Sequence, residues 1–134
     1  MKVLVDTSVW SLALRRQKQV APEAKELARL IEEGLVVMIG PIRQELLSGI
    51  SQLAQFVALR DDLGAYEDRP LSRIHFETAA EFSNRCRKQG IQGSHTDFLI
   101  SAVACLEEMA VFTTDLDFGR YAKHLPLTLH RFKK

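Results

Sequence analysis

Apolar residues recur in two rhythms along the chain. "KVLV" (2–5), "LVVMIG" (35–40) and "AVFTT" (110–114) are short, nearly continuous apolar runs and predict buried strands. "LTLH" (127–130) predicts a last, shorter one. Helical spacing fills the intervals. Residues 7–16 carry Val9, Leu12 and Ala13 on one face. Pro22 opens a helix in "PEAKELARLIEEG" that Gly34 closes. Pro41 starts another through Leu47, and residues 51–63 continue helically. "PLSRIHFETAAEFSNRCRKQG" carries a helix ending at Gly90. "HTDFLISAVACLEEM" (95–109) is apolar nearly all round, which predicts a buried helix. "YAKHL" (121–125) predicts a short one. Strands that alternate with helices and are apolar on both faces predict an α/β fold with a mainly parallel sheet covered on both sides. In such folds the functional site lies at the carboxyl ends of the strands. No repeat, low-complexity tract or linker divides the chain, so residues 1–134 are expected to form one domain.

Composition narrows the class. Hydrophobic residues make up 46% of the chain and charged residues 26%, which predicts a folded rather than a disordered protein. The formal net charge of +1 excludes a strong overall field for nucleic acid. Any such partner must be held by local clusters: Arg15, Arg16 and Lys18; Arg85, Arg87 and Lys88; or Arg131, Lys133 and Lys134. Most such clusters are simply solvated faces. Cys86 and Cys105 lack CxxC spacing, and reduced thiols in an intracellular protein are expected. No apolar run approaches the roughly 18 residues of a membrane span. Asp6 interrupts the first apolar stretch too early for a signal peptide. A cytoplasmic protein is the expectation. The four histidines (75, 95, 124 and 130) have no ligand spacing and are expected at the surface or at helix ends.

The carboxylates carry the candidate chemistry. Asp6 ends the first strand and Asp115 follows the third, so a parallel sheet puts both on one rim. Thr113 stands two residues before Asp115 and points the same way along the strand. Asp97 falls in the first turn of the most buried helix. Glu45, in "PIRQELLSG", is flanked by Ile42, Leu46 and Gly49, with no cation three or four residues away. An unpaired acid in an apolar stripe is costly. Each aspartate also has an ordinary explanation. Asp6 can cap the helix after it. "SHTD" (94–97) fits a capping box. Asp115 can start the turn in "DLDFG". Capping does not explain a mid-helix Glu45. Together, carboxylates gathered on one rim repel one another, and a divalent cation removes that penalty. Oxygen donors without a Cys or His cluster favour Mg²⁺ or Mn²⁺. Such an ion activates water and stabilises a phosphoryl transition state, which points to phosphodiester hydrolysis.

"LVDTSVW", "IRQEL", "TDFLISAVA" and "VFTTDLDF" resemble, in that order, the motifs of PIN-domain ribonucleases, most closely the VapC toxins of bacterial and archaeal toxin–antitoxin pairs. The resemblance spans nearly the whole chain. It implies a single PIN-like domain with a mainly parallel sheet of four or five strands flanked by helices. It implies that Asp6, Glu45, Asp97 and Asp115 form the acidic metal site, with Asp6 and Asp97 as principal ligands. Ser8, Thr113 and Asp117 match supporting polar positions. It further implies RNA cleavage with Mg²⁺ or Mn²⁺, a homodimer and inhibition by a cognate antitoxin. Apolar residues in 50–63 and 74–82, beyond what one small core requires, add to the dimer expectation. Residues 50–90 match no motif, so they do not name the RNA. Two other phosphoryl-transfer classes fit poorly. A haloacid dehalogenase-type phosphatase needs a second Asp where Ser8 stands. A receiver domain needs an Asp at the end of a middle strand, where Gly40 and Pro41 stand. The remaining alternative is a catalytically silent PIN-like module that binds RNA or protein.

Overall fold

The computed structural model describes residues 1–15 and 19–134. The basic cluster's Arg16 and Lys18, and the end of the helix expected over 7–16, lie outside the described residues. Among the described residues, three parallel strands form the sheet: β1 (Val3–Val5), β2 (Val36–Val37) and β3 (Ala110–Phe112), in the order β2-β1-β3. Val3 pairs with both Val36 and Ala110, and Leu4 with both Val37 and Val111. Successive strand side chains point to opposite faces, yet Val3, Leu4 and Val5 are all buried. Both faces of the central strand are therefore covered, which explains its unbroken apolar run.

Seven helices surround the sheet among the described residues: α1 (Thr7–Leu14), α2 (Pro22–Glu32), α3 (Gly40–Leu47), α4 (Leu53–Leu63), α5 (Arg73–Lys88), α6 (His95–Leu106) and α7 (Asp117–Tyr121). α1 packs on α2 and α3, while α6 packs on β1, β3 and α5. Every residue of α6 from Phe98 to Ala104 is buried, as its all-round apolar pattern predicts. Glu108, in the left-handed region at φ 56°, turns the chain after α6. Met109 then donates its N–H back to the Ala104 carbonyl.

The fold is the expected α/β class, and its details differ at the edges. The run 127–130 contributes one parallel bridge, Val111 to Leu129, rather than a full strand. Val111 donates to the Thr128 carbonyl and His130 donates back to the Val111 carbonyl. Pro126 and the short length of the run leave room for little more. Among the described residues the sheet thus has three strands plus two isolated parallel bridges, this one and Met38 to Asp68, where four or five strands were expected. β2 stops at Val37 because α3 opens at Gly40, with proline in its first turn. The short helix expected at 121–125 lies earlier, at Asp117–Tyr121, because the Asp115 side chain accepts the Asp117 N–H and starts it. Two histidines are more enclosed than expected. His75 is buried at the start of α5 and meets Glu107 at 2.9 Å. His130 meets the buried Glu26 at 2.6 Å. No described helix is long and apolar enough to cross a membrane.

Candidate functional site

Parallel pairing brings the carboxyl ends of β1 and β3 side by side. Asp6 donates its N–H to the Phe112 carbonyl at 2.8 Å, so Asp6 and Thr113 share the rim. Asp6 occupies the N-cap position of α1, yet its side chain makes no capping bond. Its Oδ2 instead accepts two hydroxyl protons, from Ser8 Oγ and Thr113 Oγ1, each at 2.8 Å. Those hydroxyls are themselves aimed by the backbone. The Thr114 N–H donates to Ser8 Oγ at 3.0 Å, and the Asp115 N–H donates to Thr113 Oγ1 at 2.9 Å. Asp6 is only 6% exposed, and no hydrogen bond reaches its Oδ1 among the described residues. A buried carboxylate is thus held by neutral donors on one oxygen and left open on the other.

Asp97 stands in the first turn of α6. Ser94 caps this helix as expected, accepting the Asp97 N–H at 3.0 Å. The cap uses the Asp97 backbone and leaves its carboxylate for other contacts. Its Oδ2 accepts the Tyr121 phenol proton at 2.7 Å. Burial pushes the Asp97 carboxyl above the usual range, and the negative charges of Asp6 and Asp115 push the same way. Hydrogen bonds from Tyr121 and Ser94 oppose them. Asp6 and Asp115 therefore both act on Asp97 as like charges. The buried Tyr121 phenol is pushed well above its ordinary value, first by burial and then by Asp97, so it keeps its proton and donates.

Glu45 reaches the same end of the molecule from α3. Its Oε1 accepts Thr7 Oγ1 at 3.0 Å, one residue after Asp6. It does not sit in a buried stripe, as its apolar neighbours led us to expect. α3 buries Ile42 and Leu46, and Glu45 lies beside them in solvent. Asp115 is exposed on the rim and serves its turn as well, since its Oδ1 accepts the Asp117 N–H. The Asp117 carboxylate lies 3.6 Å from Arg120, and only its backbone supports Asp115. A cleft of about 780 Å³ joins Thr113 and Asp115 to Arg131 and Lys134.

Two participants were not legible in the sequence. Thr7 is one more hydroxyl in a polar stretch until packing sets it against Glu45. Tyr121 meets Asp97 across 24 residues, and no local pattern announces the contact.

Among the described residues, no three acids or histidines form a ready cage for a metal ion. The donor chemistry nevertheless suits a hard divalent cation, with Asp6 Oδ1 free of protein hydrogen bonds and like charges around it. Mg²⁺ usually takes one or two carboxylates and completes its shell with water and substrate phosphate, so a closed protein cage is not required.

Residues 3–124 match the PIN domain family. The chain belongs to that family, whose members are generally nucleases. Solved structures agree on the fold at low sequence identity. FitAcB from Neisseria gonorrhoeae is 21% identical with a TM-score of 0.77, covering 96% of each chain. VapBC2 from Rickettsia felis, bound to a DNA fragment from its promoter, is 19% identical with a TM-score of 0.78, covering 99% of this chain and 100% of that one. VapBC-1 from nontypeable Haemophilus influenzae is 15% identical with a TM-score of 0.76 and full coverage of both chains. A search of curated proteins gave no match.

Proposed function

We propose that this protein is a Mg²⁺- or Mn²⁺-dependent ribonuclease and the toxin of a VapBC-type toxin–antitoxin pair. The observation that carries the nuclease reading is Asp6: buried, steered by Ser8 and Thr113, and open on one oxygen within the field of Asp97 and Asp115. Asp6 and Asp97 would hold the cation, and Glu45 and Asp115 would complete the negative pocket. When bound, such an ion supplies an activated water and neutralises charge on the phosphate. The chain's own part is to orient and space the carboxylates. Arg131, which lines the same cleft as Asp115, would meet the phosphates of an RNA strand.

Solved structures of this fold include VapBC2 and VapBC-1, and VapBC-5 from Mycobacterium tuberculosis is a member of the VapBC family of toxin–antitoxin systems, which supports an antitoxin partner here. A partner that inserts Arg or Lys would complement the acidic rim. A homodimer in the cytoplasm completes the proposal. Exposed Leu53, Ile74 and Phe76 support the dimer, and a strictly monomeric mass in light scattering at micromolar concentration would count against it.

The alternative reading is a catalytically silent PIN-like module that only holds RNA or a protein partner. Purified protein incubated with RNA, with Mg²⁺ or Mn²⁺ and then with EDTA, decides between them. Metal-dependent cleavage that stops on chelation supports the nuclease. Retention of RNA without cleavage in either metal supports the module.

A further inference from the structure

We propose that Tyr121 is a positioning residue for Asp97, and that the glycine at position 93 admits its phenol. This rests on the nuclease reading of the acidic rim. Tyr121 is fully buried at the end of α7, and its hydroxyl donates to Asp97 Oδ2 at 2.7 Å. Its ring is wedged between Phe98, at 5.0 Å between centroids, and Phe118, at 5.3 Å. Two aromatic neighbours leave the ring little freedom, so the hydroxyl arrives at a set point. A hydrogen bond from that point favours one orientation of the Asp97 carboxylate. That sets which oxygen remains for a cation.

Gly93 supplies the independent observation. A Cβ there would lie 2.3 Å from the Tyr121 hydroxyl oxygen, 2.7 Å from the adjoining ring carbon and 3.0 Å from Phe98. The Gly93 backbone lies outside the left-handed region, where glycine would be needed for its own sake. Space for Tyr121 is therefore what position 93 provides. The arrangement also links two acids. Asp115 starts α7 by accepting the Asp117 N–H, and α7 carries Tyr121 back onto Asp97. One short segment thereby sets both Asp115 and Asp97. Outer contacts of this kind typically change metal affinity or activity by about 10- to 100-fold when removed.

The test compares parent, Tyr121→Phe, Gly93→Ala and the double variant. Mn²⁺ affinity is measured by calorimetry, melting by circular dichroism, and kcat and KM on one RNA at fixed Mn²⁺. Tyr121→Phe keeps the ring and removes only the hydroxyl. It should melt close to the parent, bind Mn²⁺ about 10- to 100-fold more weakly, and lose kcat while KM for RNA holds. Gly93→Ala should lose similar Mn²⁺ affinity by displacing the phenol, and should lose no more when the hydroxyl is already absent. If Gly93→Ala does not fold, Tyr121→Phe decides alone. Parental Mn²⁺ affinity and kcat in Tyr121→Phe would overturn the role while leaving the nuclease reading intact. A melting temperature that falls in step with activity would also overturn it, reducing the bond to a structural one. A parent that takes up no Mn²⁺ would remove the nuclease reading and this role together.

Discussion

Two buried carboxylates, one on α2 and one at the rim of the sheet, are handled in opposite ways. Glu26 on α2 and Asp6 after β1 are 7% and 6% exposed. Glu26 receives two guanidinium bonds from Arg29, at 2.7 and 2.9 Å, and meets His130 at 2.6 Å. The Arg29 bonds are the largest influence on it and, against the opposing effect of burial, hold its carboxyl down at about 2. Asp6 receives two neutral hydroxyls, and its neighbours in the rim are further acids. Burial of charge is costly unless it is paired. At Glu26 the fold itself supplies the positive partner, so this acid ties the C-terminal segment to α2. At Asp6 the fold supplies orientation without neutralisation. On the proposed reading, the difference separates an acid that stabilises the protein from one that would take a cation from outside.

The largest effect that sharpens this contrast is expected from Asp6→Asn. The amide oxygen can take the place of Oδ2 and keep both hydroxyl bonds. The amide nitrogen then stands where Oδ1 was, and it donates where a cation needs an acceptor. Metal-dependent RNA cleavage should fall by more than about 100-fold, equivalent to about 2.7 kcal/mol of barrier, while the melting temperature without metal holds or rises. Mn²⁺ at about 100 times its dissociation constant should stabilise the parent by about 2.7 kcal/mol and leave the variant unmoved. Full cleavage by Asp6→Asn would return Asp6 to the role of a helix-start residue.

Glu26→Gln should invert that pattern. It removes the charge that Arg29 and His130 face, and we expect a loss of about 2 kcal/mol in denaturant unfolding, discounted because Arg29 is half exposed. Cleavage should stay at the parental level. A variant as stable as the parent would show that the Arg29 bonds contribute nothing net, and the contrast with Asp6 would collapse.

The next effect is the pH course of that same loss. The folded value of about 2 lies below the ordinary 4.5, so the unfolded chain takes up the proton first. The contribution of Glu26 is therefore complete above about 4.5 and disappears as pH falls towards about 2. The stability gap between parent and Glu26→Gln should close across that window. A gap that stays constant down to pH 2 would place the stabilisation in packing rather than in charge.

How much of this was legible in the sequence follows from the range of each contact. The strands were visible because β1 is covered on both faces, which forces an unbroken apolar run. The rim positions of Asp6, Thr113 and Asp115 followed from parallel strands alone. Whether Asp6 caps α1 was not readable, since a cap and a rim carboxylate occupy the same place in the chain. The direction of the side chain separates them, and Thr113 sets that from 107 residues away. Glu45 misled because apolar neighbours along a helix do not say where the buried stripe ends. Tyr121 and Gly93 were silent for a further reason: their meeting depends on a side chain that is missing, and helical or strand periodicity does not register an absence.

The smallest expected effect concerns Asp117, which the motif "TTDLDF" places beside the acids. Its carboxylate lies 3.6 Å from Arg120 three residues on, with both side chains about half exposed. Exposed pairs at that spacing contribute at most about 0.5 kcal/mol. What Asp117 gives the rim is its N–H, which Asp115 Oδ1 accepts at 2.9 Å, and asparagine gives the same N–H. Asp117→Asn should therefore shift stability by less than about 0.5 kcal/mol and cleavage by no more than about two-fold. Asp115→Asn should be more severe, because it removes a charge that acts on Asp97. Side-by-side cleavage rates at one Mg²⁺ concentration read the difference. Equal losses in the two variants would move Asp117 into the charged pocket, and the boundary between charge that acts and charge that merely solvates would then lie further along α7.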